Sequence, residues 1–175
     1  MKHCLRRIQQ SDFSALMSWI HTKEEMVQWS GPWNFEFPLD ERQLSKFFLT
    51  ETLDDKINRA QFMAIDEDAG EVVGQIGFSR IWLKTAAAHV GPVIVAPGLR
   101  GRGVGLALMR ELLRLGFDEL CLHRIELVVF DFNKPAITCY EKAGFRTEGL
   151  LRDIVRMGET YWHWQAMSIL ASEYR

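Results

Sequence analysis

A chain of 175 residues and 20.3 kDa is the size of one ordinary domain, long enough to bury a core and too short for two full ones. With 47% hydrophobic and 25% charged residues, the composition excludes disorder, collagen-like repeats and low complexity. The 21 bases against 23 acids leave a net charge of −2, which argues against a general binder of nucleic acid or anionic membrane, since both need a positive field.

Leu5 and Ile8 read as the first strand. Ser11–Ile20 opens with a capping residue and sets Phe13, Leu16, Met17 and Ile20 at helical spacing, which predicts a short amphipathic helix. Val27–Pro38 is rich in aromatics but broken by Gly31, Pro32 and Pro38, so it reads as a loop. A second helix is expected over Leu39–Thr50, with Leu44, Phe47 and Phe48 inward. From Gln61 the pattern changes to strands, QFMAI, VVGQIGFSRIWL and AHVGPVIV, which form an antiparallel meander. Leu106–Leu120 carries Leu106, Met109, Leu112, Leu113 and Phe117 on one helical face. A strand at Arg124–Phe130, a helix beginning near Pro135, and strands at Phe145–Leu150 and Tyr161–Ile169 complete an α+β chain with one sheet, a single domain over residues 1–175.

Cys4, Cys121 and Cys139 form neither a CxxC pair nor a cluster with histidines, so a disulfide framework and a metal site are both unexpected. Met1–Cys4 leads into the chain without an apolar run of roughly 7–15 residues, and no stretch approaches the roughly 20 apolar residues of a spanning helix. A cytoplasmic protein in a reducing compartment is the expectation.

The most informative segment is Val93–Gly105, VIVAPGLRGRGVG, where a β-rich run enters a glycine-rich turn and then the long helix. Such glycines let successive N–H groups point into one concavity, and the helix that follows adds its unpaired N–H groups and positive dipole end. With Arg100 and Arg102 adding charge, the turn suits a phosphate or pyrophosphate. The Walker pattern is excluded because no GK[ST] follows, and the dinucleotide fingerprint because Leu106 stands where its last glycine should be. A turn that merely joins a strand to a helix stays open on this segment alone.

Downstream runs Asn133-Lys-Pro-Ala136-Ile-Thr-Cys-Tyr140-Glu-Lys-Ala-Gly144-Phe145. RGRGVG resembles the R/Q-x-x-G-x-G/A turn of the GNAT superfamily of acyl-CoA-dependent N-acetyltransferases. The downstream run resembles that superfamily's next motif, in the same order. The tail from Leu151-Arg-Asp through Tyr161 to Leu170 looks like the branch containing the ribosomal-protein alanine N-acetyltransferases. The resemblance implies a mixed, mostly antiparallel sheet flanked by helices, with a splayed strand pair at the acetyl-CoA site. By it, Val93 and Val95 offer backbone groups to the pantetheine arm, and Arg100, Gly101, Arg102, Gly103, Val104 and Gly105 hold the pyrophosphate. Pro92 fits a break at that strand, because it cannot donate to a ladder. Asn133 contacts the cofactor arm or caps the helix whose first residue is Pro135; the two are compatible. Tyr140 is the general acid that protonates the leaving thiolate.

Where relatives in the superfamily often carry a carboxylate as base, this chain has Val90 and Val128, which cannot act. Glu126, two residues before Val128 on one strand face, is the first candidate; a solvated Glu126 or one paired with a nearby Arg is the alternative. His89 has the better pKa for a base but is expected on the other sheet face from Val90 unless a bulge rotates it. Residues 11–55 hold nine acids against three bases, and an acidic rim with Trp29, Trp33 and Phe35 would suit a cationic amine. Trp162 and Trp164, at alternate strand positions, share a face as core or acceptor wall. The expectation is acetyl transfer from acetyl-CoA to a small-molecule or peptide N-terminal amine, in a monomer or homodimer; a catalytically silent acyl-CoA-binding module is the alternative.

Overall fold

In the computed structural model, which describes residues 3–49 and 58–174, the alternating apolar runs assemble into one eight-stranded sheet. Its strands are β1 (His3–Arg7), β2 (Asn58–Asp66), β3 (Val72–Trp82), β4 (Ala87–Val90), β5 (Ile94–Val95), β6 (Arg124–Phe130), β7 (Arg146–Met157) and β8 (Thr160–Leu170). They lie in the order β1-β2-β3-β4-β6-β8-β7, with β5 beside β3. Every pairing is antiparallel except β4 with β6. This is the mixed, mostly antiparallel sheet that the resemblance implies.

Helices cover both faces because the strands alternate their apolar side chains between them. Along β2, Ala60 and Ala64 join a core built with α4 (Val104–Arg114) and α5 (Lys134–Lys142), where Leu108, Met109, Leu112 and Ile137 are buried. Met63 points the other way, into a second core with α1 (Phe13–Ser18), α2 (Lys23–Ser30) and α3 (Glu41–Phe48). No helix among the described residues is long and apolar enough to cross a membrane.

Three elements depart from the sequence reading. No helix is expected over α2, and Val27–Ser30, read as loop, is its last turn: Thr22 accepts from the Glu25 amide while the Glu25 carboxylate accepts from Thr22, a capping box that the T-x-x-E spacing encodes. AHVGPVIV is two strands, because Pro92 has no N–H to continue the ladder and the chain turns at Gly91. β7 runs on to Met157, past Leu150, and its middle is irregular between Leu151 and Val155.

The break at Gly91 positions everything that follows. β4 and β6 pair only at Ala87↔Arg124, Ala88↔Ile125 and His89↔Glu126. Beyond it, Ile94 and Val95 pair with Gln75 and Gly74 of β3, while Leu127–Phe130 pair with β8. The two strands splay, and a wedge opens between them.

Gly77 makes the close packing of β2 on β3 possible at this point. A Cβ there would lie 2.3 Å from the Ala60 carbonyl oxygen and 2.7 Å from Gln61 Cα, backbone atoms that cannot rotate away. Gly77→Ala is therefore expected to cost about 1–3 kcal/mol of unfolding free energy in urea titrations. Gly98→Ala, which meets nothing within 4 Å, should stay within about 0.5 kcal/mol of wild type.

Candidate active site

The wedge holds a cavity of about 240 Å³ whose walls come from both sides of the sheet. From α5 come Asn133, Ala136 and Tyr140, which share one helical face. Asn133 caps α5 by accepting from the Ala136 amide at 3.3 Å, and Pro135 begins the helix with the φ it prefers. The cap thus sets the rotation that turns Tyr140 into the cavity. Burial pushes the Tyr140 phenol above its ordinary pKa, with the neighbouring Cys139 adding to it, so the group is a proton donor throughout the neutral range.

Val93 lines the same cavity. Val95 pairs with Gly74 on β3 and packs with Val93 against the α4 core. The glycine turn stands outside the cavity, at the start of α4. Gly101 and Gly103 have φ of +75° and +83°, the left-handed region where a side chain is disfavoured, and no atom lies within 4 Å of where a Cβ would project. Gly103 is the N-cap of α4, so Val104 and Gly105 begin the helix with amides that have no intrahelical partner. The turn is moored to β5 by Arg100, whose Nε donates to the Val95 carbonyl at 3.2 Å, while Arg102 is exposed. At Gly105 the helix start packs beside Val95 and Cys139 at ordinary contact distance.

The two base candidates separate. Glu126 does not line the cavity; it accepts from Arg124 at 3.0 and 3.1 Å. Arg124 also holds Glu148 at 2.6 and 2.7 Å, and the Arg124 and Ser168 hydrogen bonds hold the Glu148 carboxyl down to about 2. His89 lines the cavity from the sheet face opposite Val90's side chain, as its place next to Val90 implies, and that face opens on the cavity. In the parallel pairing His89 stands beside Glu126 and shares its face, while Val90, 3% exposed, is turned into the core under α4. A bulge on β3 between Phe78 and Arg80 brings Ser79 alongside the ring. Ser79 Oγ donates to the His89 carbonyl at 3.2 Å and lies 3.1 Å from Nδ1. With the serine proton on that carbonyl, Nδ1–H donates to the serine oxygen and Nε2 keeps its lone pair. Burial lowers the His89 pKa, Glu126 opposes the shift and Arg80 adds to it.

On the opposite wall, Trp29 is buried, stacks on Phe35 at 5.2 Å and donates through Nε1 to Gln75 at 3.0 Å. Trp33 is 66% exposed and meets Trp164 edge-on at 5.3 Å. Trp162 and Trp164 do share a face, gathered around Phe130. No acid of the expected rim lines this cavity among the described residues; Glu36 and Asp40 line a neighbouring cavity that shares Trp33 and Asn34, and Glu51, Asp54 and Asp55 lie outside the described residues. Glu25 and Asp40 cap α2 and α3, and Asp12 is paired with Arg6 at 2.6 Å. Ser79, Phe130, Gln61 and Gln75 are functional neighbours that the sequence reading missed. The two glutamines alone left a signal, as polar residues inside otherwise apolar strands.

Residues 15–145 match the acetyltransferase (GNAT) family model, and the chain belongs to that family. It is 31% identical to the uncharacterized N-acetyltransferase p20 of Bacillus licheniformis over 70% of this chain and 67% of that protein. It is 39% identical to the L-amino acid N-acetyltransferase AaaT of Escherichia coli over 46% of this chain, and the match spans only half of AaaT's length. The crystal structure of spermidine N-acetyltransferase from Vibrio cholerae, in complex with CoA and spermine, has the same fold. It superposes with a TM-score of 0.83 at 24% identity, covering 98% of this chain and 97% of that one.

The His89 environment has a titration consequence. Because burial outweighs Glu126, the imidazole should titrate below its ordinary value of 6.5 in a histidine NMR pH series, and Glu126→Gln should move that midpoint further down. The fold favours neutral His89, so this contribution to stability is present above the unfolded imidazole value and is lost as pH falls through the folded one.

Proposed function

We propose that the protein transfers an acetyl group from acetyl-CoA to a primary amine directly, within a ternary complex. The observation that carries this reading is that His89 and Tyr140 reach one cavity from the two faces of the sheet, at the point where β4 and β6 splay. Acetyl-CoA fits the residues present. The open turn at Gly101 and Gly103, the unpaired amides of Val104 and Gly105, and the charges of Arg100 and Arg102 suit its pyrophosphate. The β6-facing backbone of Val93 and Val95 has no strand partner on that side and suits the pantetheine arm. When bound, acetyl-CoA supplies a thioester and a thiolate leaving group.

The chain's own residues divide the proton work. His89, neutral at physiological pH with Nε2 unprotonated, takes the proton that the amine gives up. Tyr140, kept protonated by burial, donates to the sulfur as it leaves. Asn133 acts through the cap that orients α5. Glu126, held by Arg124, raises the basicity of His89 through space rather than removing the proton itself. Holding the two reactants together contributes several kcal/mol in addition, on the order of 7 in well-aligned cases.

The wall supports a particular class of acceptor. Trp29, Trp33, Phe130 and Trp164 supply aromatic surface and Gln28 and Asn34 supply amides, with no carboxylate lining the cavity among the described residues. A polyamine brings two or three positive charges, for which this wall offers aromatic faces but no carboxylate among the described residues. An amine on an apolar or aromatic body matches it, either a peptide N-terminus or an amino acid whose carboxylate stays outside the cavity, since no Arg or Lys lines it among the described residues; this agrees in kind with the L-amino acid named for AaaT rather than the spermidine of the Vibrio enzyme.

Thiol release from acetyl-CoA against a panel of amines tests this. Aromatic or apolar amino acids, or peptides with such N-termini, should be turned over at least about tenfold faster than spermidine; faster turnover of spermidine overturns the acceptor reading. Tyr140→Phe should lower kcat by about 10²–10⁴-fold with little change in acetyl-CoA affinity. Binding of acetyl-CoA without release from any amine would instead support the silent module.

A further inference from the structure

A chain of side-chain hydrogen bonds runs through the sheet from the acceptor wall to the cofactor strand. Trp29 Nε1 donates to Gln75 Oε1 at 3.0 Å, Gln75 Nε2 to Gln61 Oε1 at 2.8 Å, and Gln61 Nε2 to the Gly91 carbonyl at 2.8 Å. Gln75 is 0% exposed and Gln61 5%, in strands whose other inward residues are apolar. Burying two amides in this way costs free energy unless their partners are in place, so the four groups hold or fail as a unit. The donors all point one way, from the helix side toward Gly91.

Both ends of this chain line the cavity. Trp29 is its aromatic wall, on α2. Gly91 immediately precedes Pro92, where the strand leaves β6, and its amide is also fixed, donating to the Gly77 carbonyl at 2.9 Å. Gln75 is the register partner of Ile94 on β5, and Gln61 the partner of Gly77. The absence of a side chain on Gly77 is what lets Gln61 cross there, since a Cβ would lie 2.8 Å from the Gln61 amide carbon.

We infer that Trp29, Gln75 and Gln61 are positioning residues that couple the two substrate sites, transmitting the placement of the acceptor-side indole to the backbone that receives acetyl-CoA. The inference rests on the acetyl-CoA reading above. Removing the indole N–H leaves Gln75 without its donor, and the loss is relayed to the Gly91 carbonyl, although Trp29 is on the acceptor side. By linkage, what occupies the acceptor wall then changes the affinity of the cofactor strand.

The test is acetyl-CoA titration by calorimetry on the full chain, for wild type, Trp29→Phe, Gln75→Leu and the double variant. Trp29→Phe keeps an aromatic ring against Phe35 while removing the donor and part of the indole's bulk, so the double variant separates the two effects. It should weaken acetyl-CoA binding about three- to tenfold, and in the Gln75→Leu background it should add less than twofold. A filler role for Trp29 would give an effect of the same size in both backgrounds. Unchanged affinity in Trp29→Phe, or effects of the two substitutions that multiply, overturns the relay while leaving the acetyl-CoA reading intact. Failure of wild type itself to bind acetyl-CoA removes both. Should Gln75→Leu not fold, Trp29→Phe on the cavity wall decides the question by itself.

Discussion

The short parallel pairing of β4 with β6 is the constraint on which the rest depends. It lasts three residues on each strand and ends where Pro92 cannot donate to the next rung. Past it, β5 keeps its bonds to β3 and β6 keeps its bonds to β8, so each strand is satisfied on its outer side and open on its inner one. A wedge with unpaired backbone on its walls is costly in an interior, and it persists here because β6 is held along its length by β8, while the two-residue β5 is held by β3 and packs through Val93 and Val95 on the α4 core. The cavity, the reach of α5 and the exposure of Val93 all follow from that geometry.

Electrostatics around the wedge is arranged by what each charge is already bonded to. Glu25 and Asp40 are engaged at helix N-termini and Asp12 in its pair with Arg6, where they stabilise local structure. Arg124 bridges Glu126 and Glu148 and so keeps both carboxylates out of the cavity. What remains inside is a neutral, aromatic and amide-lined space with one imidazole and one phenol. Burial acts in opposite directions on these two groups, lowering His89 and raising Tyr140, because in each case it disfavours the charged form. A neutral base and a neutral acid therefore line one cavity.

Polar residues inside the sheet link the two halves of the site. A core of leucines at positions 61 and 75 would pack, but it would leave the Gly91 carbonyl and the Trp29 N–H without partners. The buried amides meet both needs and define one position of the bend relative to α2.

Much of this protein is determined by its sequence alone. The period-two runs, the amphipathic stretch from Leu106 and the Pro135 start place nearly every element, because local sterics and one-sided burial act within a few residues. The glycine turn and the Asn133–Phe145 motif are likewise local, since positive φ and a helix cap are properties of short segments. The T-x-x-E spacing at Thr22 encodes a capping box that the reading passed over, and with it the whole of α2. What only the tertiary structure decided is which side chains meet. His89 displaced Glu126 in the cavity because a parallel register, a bulge at Ser79 and an arginine two residues before Glu126 set their orientations and partners. Register between strands depends on pairings across tens of residues, and no local pattern contains it.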